Sequence, residues 1–104
     1  MLGCGAVFTK FTGARGKSST NDASAEFIGW LRGTLAKDSV VWQTAELGKV
    51  DCGGGGTVAK YISKHNIDTI DLGVPVISMH APYELIAKVD LYETYRTIRA
   101  FYKY

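Results

Sequence analysis

The chain has 104 residues, of which 46% are hydrophobic and 21% charged, close to the averages for soluble globular proteins, which excludes a disordered chain and a membrane protein. Its formal net charge of +2 comes from 12 basic and 10 acidic side chains spread along the sequence, without the dense basic stripe that nucleic-acid binding requires. The length allows one compact core, no apolar run approaches the ~20 residues of a membrane span, and no signal peptide is recognisable, so we expect a single cytoplasmic domain over residues 1–104.

The first half of the chain contains two predicted strands and a helix. Gly5–Phe11 is rich in β-branched and aromatic residues, which predicts a strand closed by a Gly-Ala-Arg-Gly turn. Val40–Ala45 is predicted as a second strand. Between them, apolar residues recur at helical spacing and predict a helix that ends near Lys37 and is capped by polar side chains before it. The apolar positions are Phe27, Ile28, Leu31 and Leu35, and the candidate caps are Thr20, Asn21 and Asp22.

The second half begins with a glycine loop at Asp51–Gly56, followed by a short predicted helix that ends near Asn66. Ile67–Leu72 and Val74–Met79 are predicted to be extended, with a break at Gly73-Val74-Pro75. A last helix is predicted because one apolar stripe recurs at i, i+4, i+7 and i+11. That stripe consists of Leu91, Tyr95, Ile98 and Tyr102. Alternation of strands and helices predicts an α/β fold with a largely parallel sheet.

The segment Gly13–Ser18 lies between a predicted strand and a predicted helix, which is the position of a phosphate-binding loop. Such a loop needs a glycine five positions before Gly16-Lys17-Ser18, and Phe11 occupies that place. A solvated basic turn is therefore the better interpretation, although a small nucleotide-binding protein stays an alternative. The cysteines, Cys4 and Cys52, are far apart and outside any C-x-x-C pair, which indicates reduced thiols.

Two features are candidates for chemistry. The run Gly53–Thr57 precedes a helix start, where unpaired N–H groups favour a polar ligand, but four glycines also suit a tight turn. His80 follows an extended segment at a predicted strand end, and imidazole is a common zinc ligand. A lone histidine is more often structural, since a metal site needs three or four ligands. His65 ends a helix, and we assign it no chemistry.

The acidic side chains show no recognised catalytic spacing, and we predict solvated charges, helix caps and ordinary ion pairs for them. The residues considered are Glu46, Asp51, Glu84, Asp90 and Glu93. The aromatic C-terminus is typical of a core or a subunit interface. Its residues are Tyr92, Tyr95, Phe101, Tyr102 and Tyr104.

Three segments together resemble the last stretch of the zinc-dependent aminopeptidases of the aminopeptidase I / aspartyl aminopeptidase family. They are KFTGARGKSSTNDASAEF (10–27), VVWQTAELGKVDCGGGGTVAKYI (40–62) and IDTIDLGVPVISMHAPYELIAKVDLYETYRTIRAF (67–101). The resemblance implies the C-terminal part of a three-layer α/β domain of the zinc-exopeptidase (phosphorylase/hydrolase-like) type. It also implies a hydrolase that releases N-terminal amino acids from peptides, with two zinc ions, for which cobalt or manganese could substitute, and a homo-oligomeric assembly.

Residue by residue, the resemblance implies that His80 is a metal ligand and that the loop of Gly54, Gly55, Gly56 and Thr57 borders the substrate pocket. Lys10 corresponds to a lysine that contacts the substrate side chain in the aspartyl-specific branch, yet Lys17-Ser18-Ser19 departs from that branch's pattern. A preference for acidic residues and a broader neutral specificity therefore both stay open. The family's remaining metal ligands and its general-base glutamate lie in earlier sequence, so we assign no catalytic residue to this chain.

A single imidazole cannot hold two zinc ions, because catalytic zinc takes three protein ligands and water. We therefore expect this chain to be a fragment that is inactive alone, with uncovered apolar faces that favour self-association. The alternative is a non-catalytic module that forms homo-oligomers through its aromatic C-terminal helix.

Overall fold

The computed structural model describes residues 1–13, 21–46 and 56–104. Within these ranges the chain forms short strands and three helices in mixed order. The elements are β1 (Ala6–Thr9), β2 (Phe11–Thr12), β3 (Asn21–Asp22), α1 (Ala25–Lys37), β4 (Trp42–Thr44), α2 (Ala59–Ser63), β5 (Asp71–Gly73) and α3 (Lys88–Lys103). No helix in the described part is long and apolar enough to cross a bilayer. The candidate phosphate loop from residue 14 onward, and Asp51–Gly55 of the glycine loop, lie outside the described residues.

The main sheet has three strands in the order β4-β1-β5, so the first strand of the chain is the central one. Strand β1 pairs in parallel with β4, where Phe8 is opposite Thr44. It pairs antiparallel with β5, where Phe8 is opposite Leu72. The expectation of a largely parallel sheet is thus confirmed for β4 and wrong for β5. Alternation of elements did not fix the direction of β5, because β5 is an edge strand, and an otherwise parallel sheet commonly carries an antiparallel strand at its edge.

The core lies on one face of this sheet, where α1 and α3 pack together. Its buried residues are Phe8, Leu31, Leu35, Val40 and Ala100, with Trp42 and Ile70 packed against them. The rings of Phe8 and Trp42 meet edge to face, with centroids 5.6 Å apart. Burial of each large side chain contributes about 1.5–3 kcal/mol. The fold therefore depends on contacts between its first and last elements.

Helix α1 ends at Lys37 as predicted, but its predicted N-caps are wrong. Ser24 caps the helix, and its Oγ accepts the N–H of Phe27 at 3.2 Å. Asn21 and Asp22 instead form β3, which pairs antiparallel with β2. Pairing with β2 uses this backbone in extended form, so the helix begins only where a serine oxygen becomes available.

The predicted C-terminal helix is confirmed as α3, although its apolar stripe does not face the core. The four stripe residues are 45–83% exposed: Leu91, Tyr95, Ile98 and Tyr102. The buried residues of the helix are Asp90, Glu93, Thr97 and Ala100. Solvated charges, caps or ordinary ion pairs were expected for Asp90 and Glu93. The ion pair is confirmed for Glu93, which binds Arg96 at 2.9 Å, but solvation is wrong for both, since their buried carboxylates accept the backbone N–H groups of Gly3, Gly5 and Val41.

The predicted extended segments are only partly regular. Strand β5 spans Asp71–Gly73 and ends at the first residue of the predicted break, Gly73-Val74-Pro75, which is thus confirmed, although the strand is shorter than the predicted Ile67–Leu72. In Val74–Met79 only Ile77 pairs, through an isolated antiparallel bridge with Leu85. Pro75 lacks an N–H donor, which disfavours continuation of a strand ladder through this segment. The short helix α2 is confirmed and ends before the predicted limit near Asn66.

Candidate functional site

His80 lies on an exposed loop closed by the Ile77–Leu85 bridge. The bridge residues exchange two backbone hydrogen bonds, of 2.9 and 3.1 Å. Within the loop, the N–H of Ala81 donates to the carbonyl of Ser78 at 3.0 Å. The carboxylate of Glu84 accepts the backbone N–H of His80 at 2.5 Å. The imidazole is therefore presented on a short structured loop, not at a free strand end as the sequence suggested.

His80 and the described acidic and thiol side chains are the possible donors for a zinc ion. An imidazole nitrogen is a suitable zinc donor, and His80 is exposed enough to act as one. Within residues 1–13, 21–46 and 56–104, however, no three His, Cys, Asp or Glu side chains gather in a group that could hold a metal ion. Zinc sites in proteins use three or four protein donors. His80 thus fits zinc by chemistry, and the described residues supply only part of a site.

Thr57 lies in a cavity of about 370 Å³ on the side of β1 that carries Val7 and Thr9. Its Oγ1 donates a hydrogen bond to Oδ2 of Asp71 at 2.9 Å. The hydroxyl of Thr12 lies 3.5 Å from that of Thr57. The lining is otherwise largely apolar and includes Val74, Pro75, Val76 and Met79. Such a cavity, apolar with a few polar groups, is typical of a site for a small ligand group.

The cavity and the His80 loop are adjacent in the chain, because Met79 lines the cavity and precedes His80 directly. Gly56, next to Thr57, is exposed. Gly54 and Gly55 lie outside the described residues. Thr57 and Met79 line the same cavity, so the structure brings Thr57 close to the segment that carries His80.

Lys10 is placed differently from Thr57. Its ammonium group forms an ion pair with the carboxylate of Asp22, and both side chains are about half exposed, at 45% and 58%. Lys10 does not belong to the described lining of the Thr57 cavity. An exposed pair of this kind contributes little to stability, about 0–1 kcal/mol, so the cation remains exchangeable.

Asp71 is a site residue that sequence reasoning missed. It is half-buried, it lines the cavity, and its carboxylate accepts a hydrogen bond from the hydroxyl of Thr57. The sequence signal was its place in Asp71-Leu72-Gly73-Val74-Pro75, where the glycine and the proline indicate that a strand ends. Only the fold shows that β5 lies beside β1, which carries Asp71 to the cavity.

An apolar groove of about 530 Å³ opens on the helical face, between α1, α3 and residues 62–72. Its lining includes Phe27, Ile62, Leu72, Ile98 and Phe101. The groove joins the exposed stripe of α3. Ile98 and Tyr102 belong to both, so the groove and the stripe form one continuous apolar surface.

The sequence of this chain is similar to proteins of one known family. A family model described as "Aminopeptidase I zinc metalloprotease (M18)" matches residues 1–102. A protein of Clostridium acetobutylicum, described as a probable M18 family aminopeptidase 1, is 55% identical over 100 residues. A protein of Thermotoga maritima with the same description is 52% identical over 99 residues. The chain spans 22% of the length of each of these relatives.

Solved structures give the same result. The crystal structure of aminopeptidase I from Clostridium acetobutylicum matches 96% of this chain with a TM-score of 0.88, and that of the M18 aminopeptidase from Thermotoga maritima matches 95% with a TM-score of 0.87. In both cases 22% of the solved chain is covered. Since the family model spans almost every residue and the mixed α/β fold is shared, the chain belongs to the aminopeptidase I zinc metalloprotease (M18) family.

Proposed function

We propose that this chain forms the C-terminal portion of a zinc aminopeptidase and supplies His80 to a metal site whose other donors come from outside its 104 residues. One observation carries the proposal. His80 is exposed and directly follows Met79 of the Thr57 cavity, and no group of further donors gathers with it in the described ranges, whereas the relatives are more than four times as long. The proposed reaction is release of the N-terminal residue from a peptide.

In that site His80 would hold zinc through a neutral imidazole nitrogen, which leaves the other ring nitrogen free for a hydrogen bond. The bound metal would supply Lewis-acid activation of water and of the peptide carbonyl. We propose two ions, as the family resemblance implies. The general base belongs to the part of the family's length that this chain does not span, so the chain alone is proposed to be inactive.

The Thr57 cavity is proposed to receive the substrate. Its apolar walls would accept a side chain. The Thr57 hydroxyl hydrogen is already donated to Asp71, so the oxygens of these two side chains offer acceptor sites to a substrate. Lys10 would have to leave Asp22 before it could bind an acidic substrate side chain. Because this exposed pair contributes only about 0–1 kcal/mol, it does not decide between acidic and neutral N-terminal residues.

The exposed surface supports the idea that a larger body covers this chain. A compact monomer of 11.3 kDa should expose about 5,700 Å². This chain exposes 7014 Å², and it is a flat body with extents of 37 × 36 × 17 Å. A further layer of structure against the sheet or the helices would complete the proposed three-layer domain.

The test is reconstitution with the Thermotoga maritima aminopeptidase from which the matched C-terminal segment has been removed. The mixture should bind zinc and hydrolyse aminoacyl chromogenic substrates, and neither part should do so alone. His80→Ala should abolish both properties. His65→Ala is the matched control, since it removes the chain's other histidine from the exposed end of α2 and should change nothing.

Two results would overturn the proposal. The first is zinc-dependent turnover by the 104-residue chain alone, which would mean that it assembles a complete site. The second is a reconstituted complex in which His80→Ala binds zinc as well as the unchanged chain.

A second candidate function is a homo-oligomerising module without a metal. The observation that favours it is the exposed stripe of α3, with Tyr102 83% and Leu91 53% exposed. In sedimentation velocity over a concentration series, the chain would then form a stable oligomer. Ile98→Glu should convert it to monomer, whereas Arg99→Glu, one position along the same helix, should not. A chain that stays monomeric at all concentrations excludes this function.

A further inference from the structure

We infer that Glu84 is a positioning residue for His80, whose carboxylate fixes the loop backbone from which the imidazole is presented. The inference rests on the proposed function, in which His80 is a zinc ligand. It adds a role for a residue that the sequence indicated only as a solvated charge.

The loop backbone is unusual at and near His80. Ser78 has a φ of 62° and His80 a φ of 68°, both in the left-handed region. For residues with a side chain this conformation is strained, and glycine is the usual residue there. Two such residues within one turn persist only if surrounding interactions hold them.

Packing does not supply those interactions, because residues 77–86 are all exposed. Hydrogen bonds remain. The Ile77–Leu85 bridge closes the base of the loop, and the N–H of Ala81 bonds to Ser78 inside it. The bond from His80 N–H to Glu84 Oε1 is the one that reaches His80 itself, and it is charge-assisted, hence stronger than a neutral hydrogen bond.

This bond has a direct consequence for the imidazole. The φ angle of His80 sets the direction in which its Cβ leaves the backbone relative to the loop. Anchoring the N–H therefore also fixes where the side chain starts. Groups that orient a metal ligand without touching the metal commonly change metal affinity 10–100-fold when they are removed.

A direct donor role for Glu84 is the main competing interpretation, and one substitution separates the two. Glu84→Gln keeps an oxygen that can accept the His80 N–H but replaces the carboxylate with a neutral amide, a poor zinc donor. A positioning role therefore predicts that Gln rescues what Ala loses. A donor role predicts that both variants lose zinc alike.

The experiment uses a chimera in which the matched C-terminal segment of the Thermotoga maritima aminopeptidase is replaced by this chain. Zinc affinity is measured by competition with a chromophoric chelator. We expect Glu84→Ala to lower the affinity about 10–100-fold, and Glu84→Gln to restore most of it. Glu26→Ala, which removes an exposed glutamate from the start of α1, is the control and should leave the affinity unchanged.

A second measurement needs no assembled metal site. In the 104-residue chain, amide hydrogen exchange at His80, followed by NMR, should be faster in Glu84→Ala and near the original rate in Glu84→Gln. Unchanged exchange in Glu84→Ala would overturn the inference, whether or not the chimera assembles.

The outcomes distinguish the inference from the proposed function. If His80→Ala in the chimera leaves zinc affinity unchanged, the proposed function fails and the inference fails with it. If His80→Ala loses zinc but Glu84→Ala matches the unchanged chimera, only the positioning role is overturned. Equal losses in Glu84→Ala and Glu84→Gln would assign Glu84 as a donor and would likewise overturn it.

Discussion

The buried carboxylate of Asp90 is the most consequential single group for the stability of this fold. Asp90 is 0% exposed and lies in the first turn of α3. Its two oxygens accept the N–H groups of Gly3 and Gly5, each at 2.8 Å. These bonds join the last helix to the first residues of the chain. We therefore expect Asp90→Ala to destabilise the whole fold and not only the N-terminus.

The magnitude follows from what the substitution leaves behind. A buried N–H without a partner costs about 1–3 kcal/mol. The N–H of Gly5 is buried and that of Gly3 is partly buried, so the loss should be about 3 kcal/mol. For a chain of this size that corresponds to a fall of about 12–24 °C in Tm. Asp90→Asn keeps one acceptor oxygen and should lose about half as much.

The assay is urea unfolding followed by tryptophan fluorescence, which reports on Trp42 against Phe8 in the core. Asp68→Ala is the control, because it removes an exposed aspartate and should stay within about 0.5 kcal/mol of the original chain. Amide exchange at Gly3 and Gly5 should accelerate in Asp90→Ala alone. If Asp90→Ala and Asp68→Ala unfold at the same urea concentration, the hydrogen bonds from Gly3 and Gly5 to Asp90 do not stabilise the fold and the reasoning is refuted.

Three further predictions concern other contacts. Gly5→Ala should destabilise by about 3 kcal/mol or more, because φ is +86° and the new Cβ would lie 2.0 Å from the carbonyl oxygen of Val41. Gly33→Ala, in open space on α1, should instead stabilise by about 0.5–1 kcal/mol in the same urea-unfolding assay. Glu93→Ala should cost about 1–3 kcal/mol, since it leaves the N–H of Val41 without its acceptor and removes the ion pair with Arg96, which keeps its hydrogen bond to the carbonyl of Asp38. Unfolding that matches the Asp68→Ala control would contradict this. Hydrogen bonds from Lys103 and then Tyr104 hold the pKa of Asp38 below its usual 3.8. The stability that Asp38 contributes to the fold should therefore be complete above that value and disappear as the pH falls through the lowered pKa. Asp38→Asn should make stability less dependent on pH in this acid range, and an unchanged pH dependence would show that Asp38 takes no part.

The sequence predicted the elements of this fold better than their arrangement. Apolar spacing located α1 and α3, and β-branched runs located β1 and β4, because those signals are local. The direction of β5 and the buried face of α3 could not be predicted in this way. Asp90 and Glu93 are buried because their partners are backbone N–H groups more than 50 positions earlier, and no local pattern shows such partners.

The candidate site was predictable to a similar degree. His80 and Thr57 were singled out by residue type, position and family resemblance. Asp71 was missed, since its contact with Thr57 depends on β5 lying beside β1. Glu84 follows His80 by four positions, but only the left-handed backbone shows why an acceptor is needed there.

The central position of β1 also sets the order in which this chain can fold. The strand begins at Ala6, yet its neighbour β5 begins only at Asp71, and its anchor Asp90 lies 85 positions after Gly5. Closing a loop of some 85 residues costs about 4 kcal/mol of chain entropy before any contact rewards it. Folding should therefore be slow for a chain of this length, because Gly5, next to β1, gains its hydrogen bond to Asp90 only when that long loop has closed.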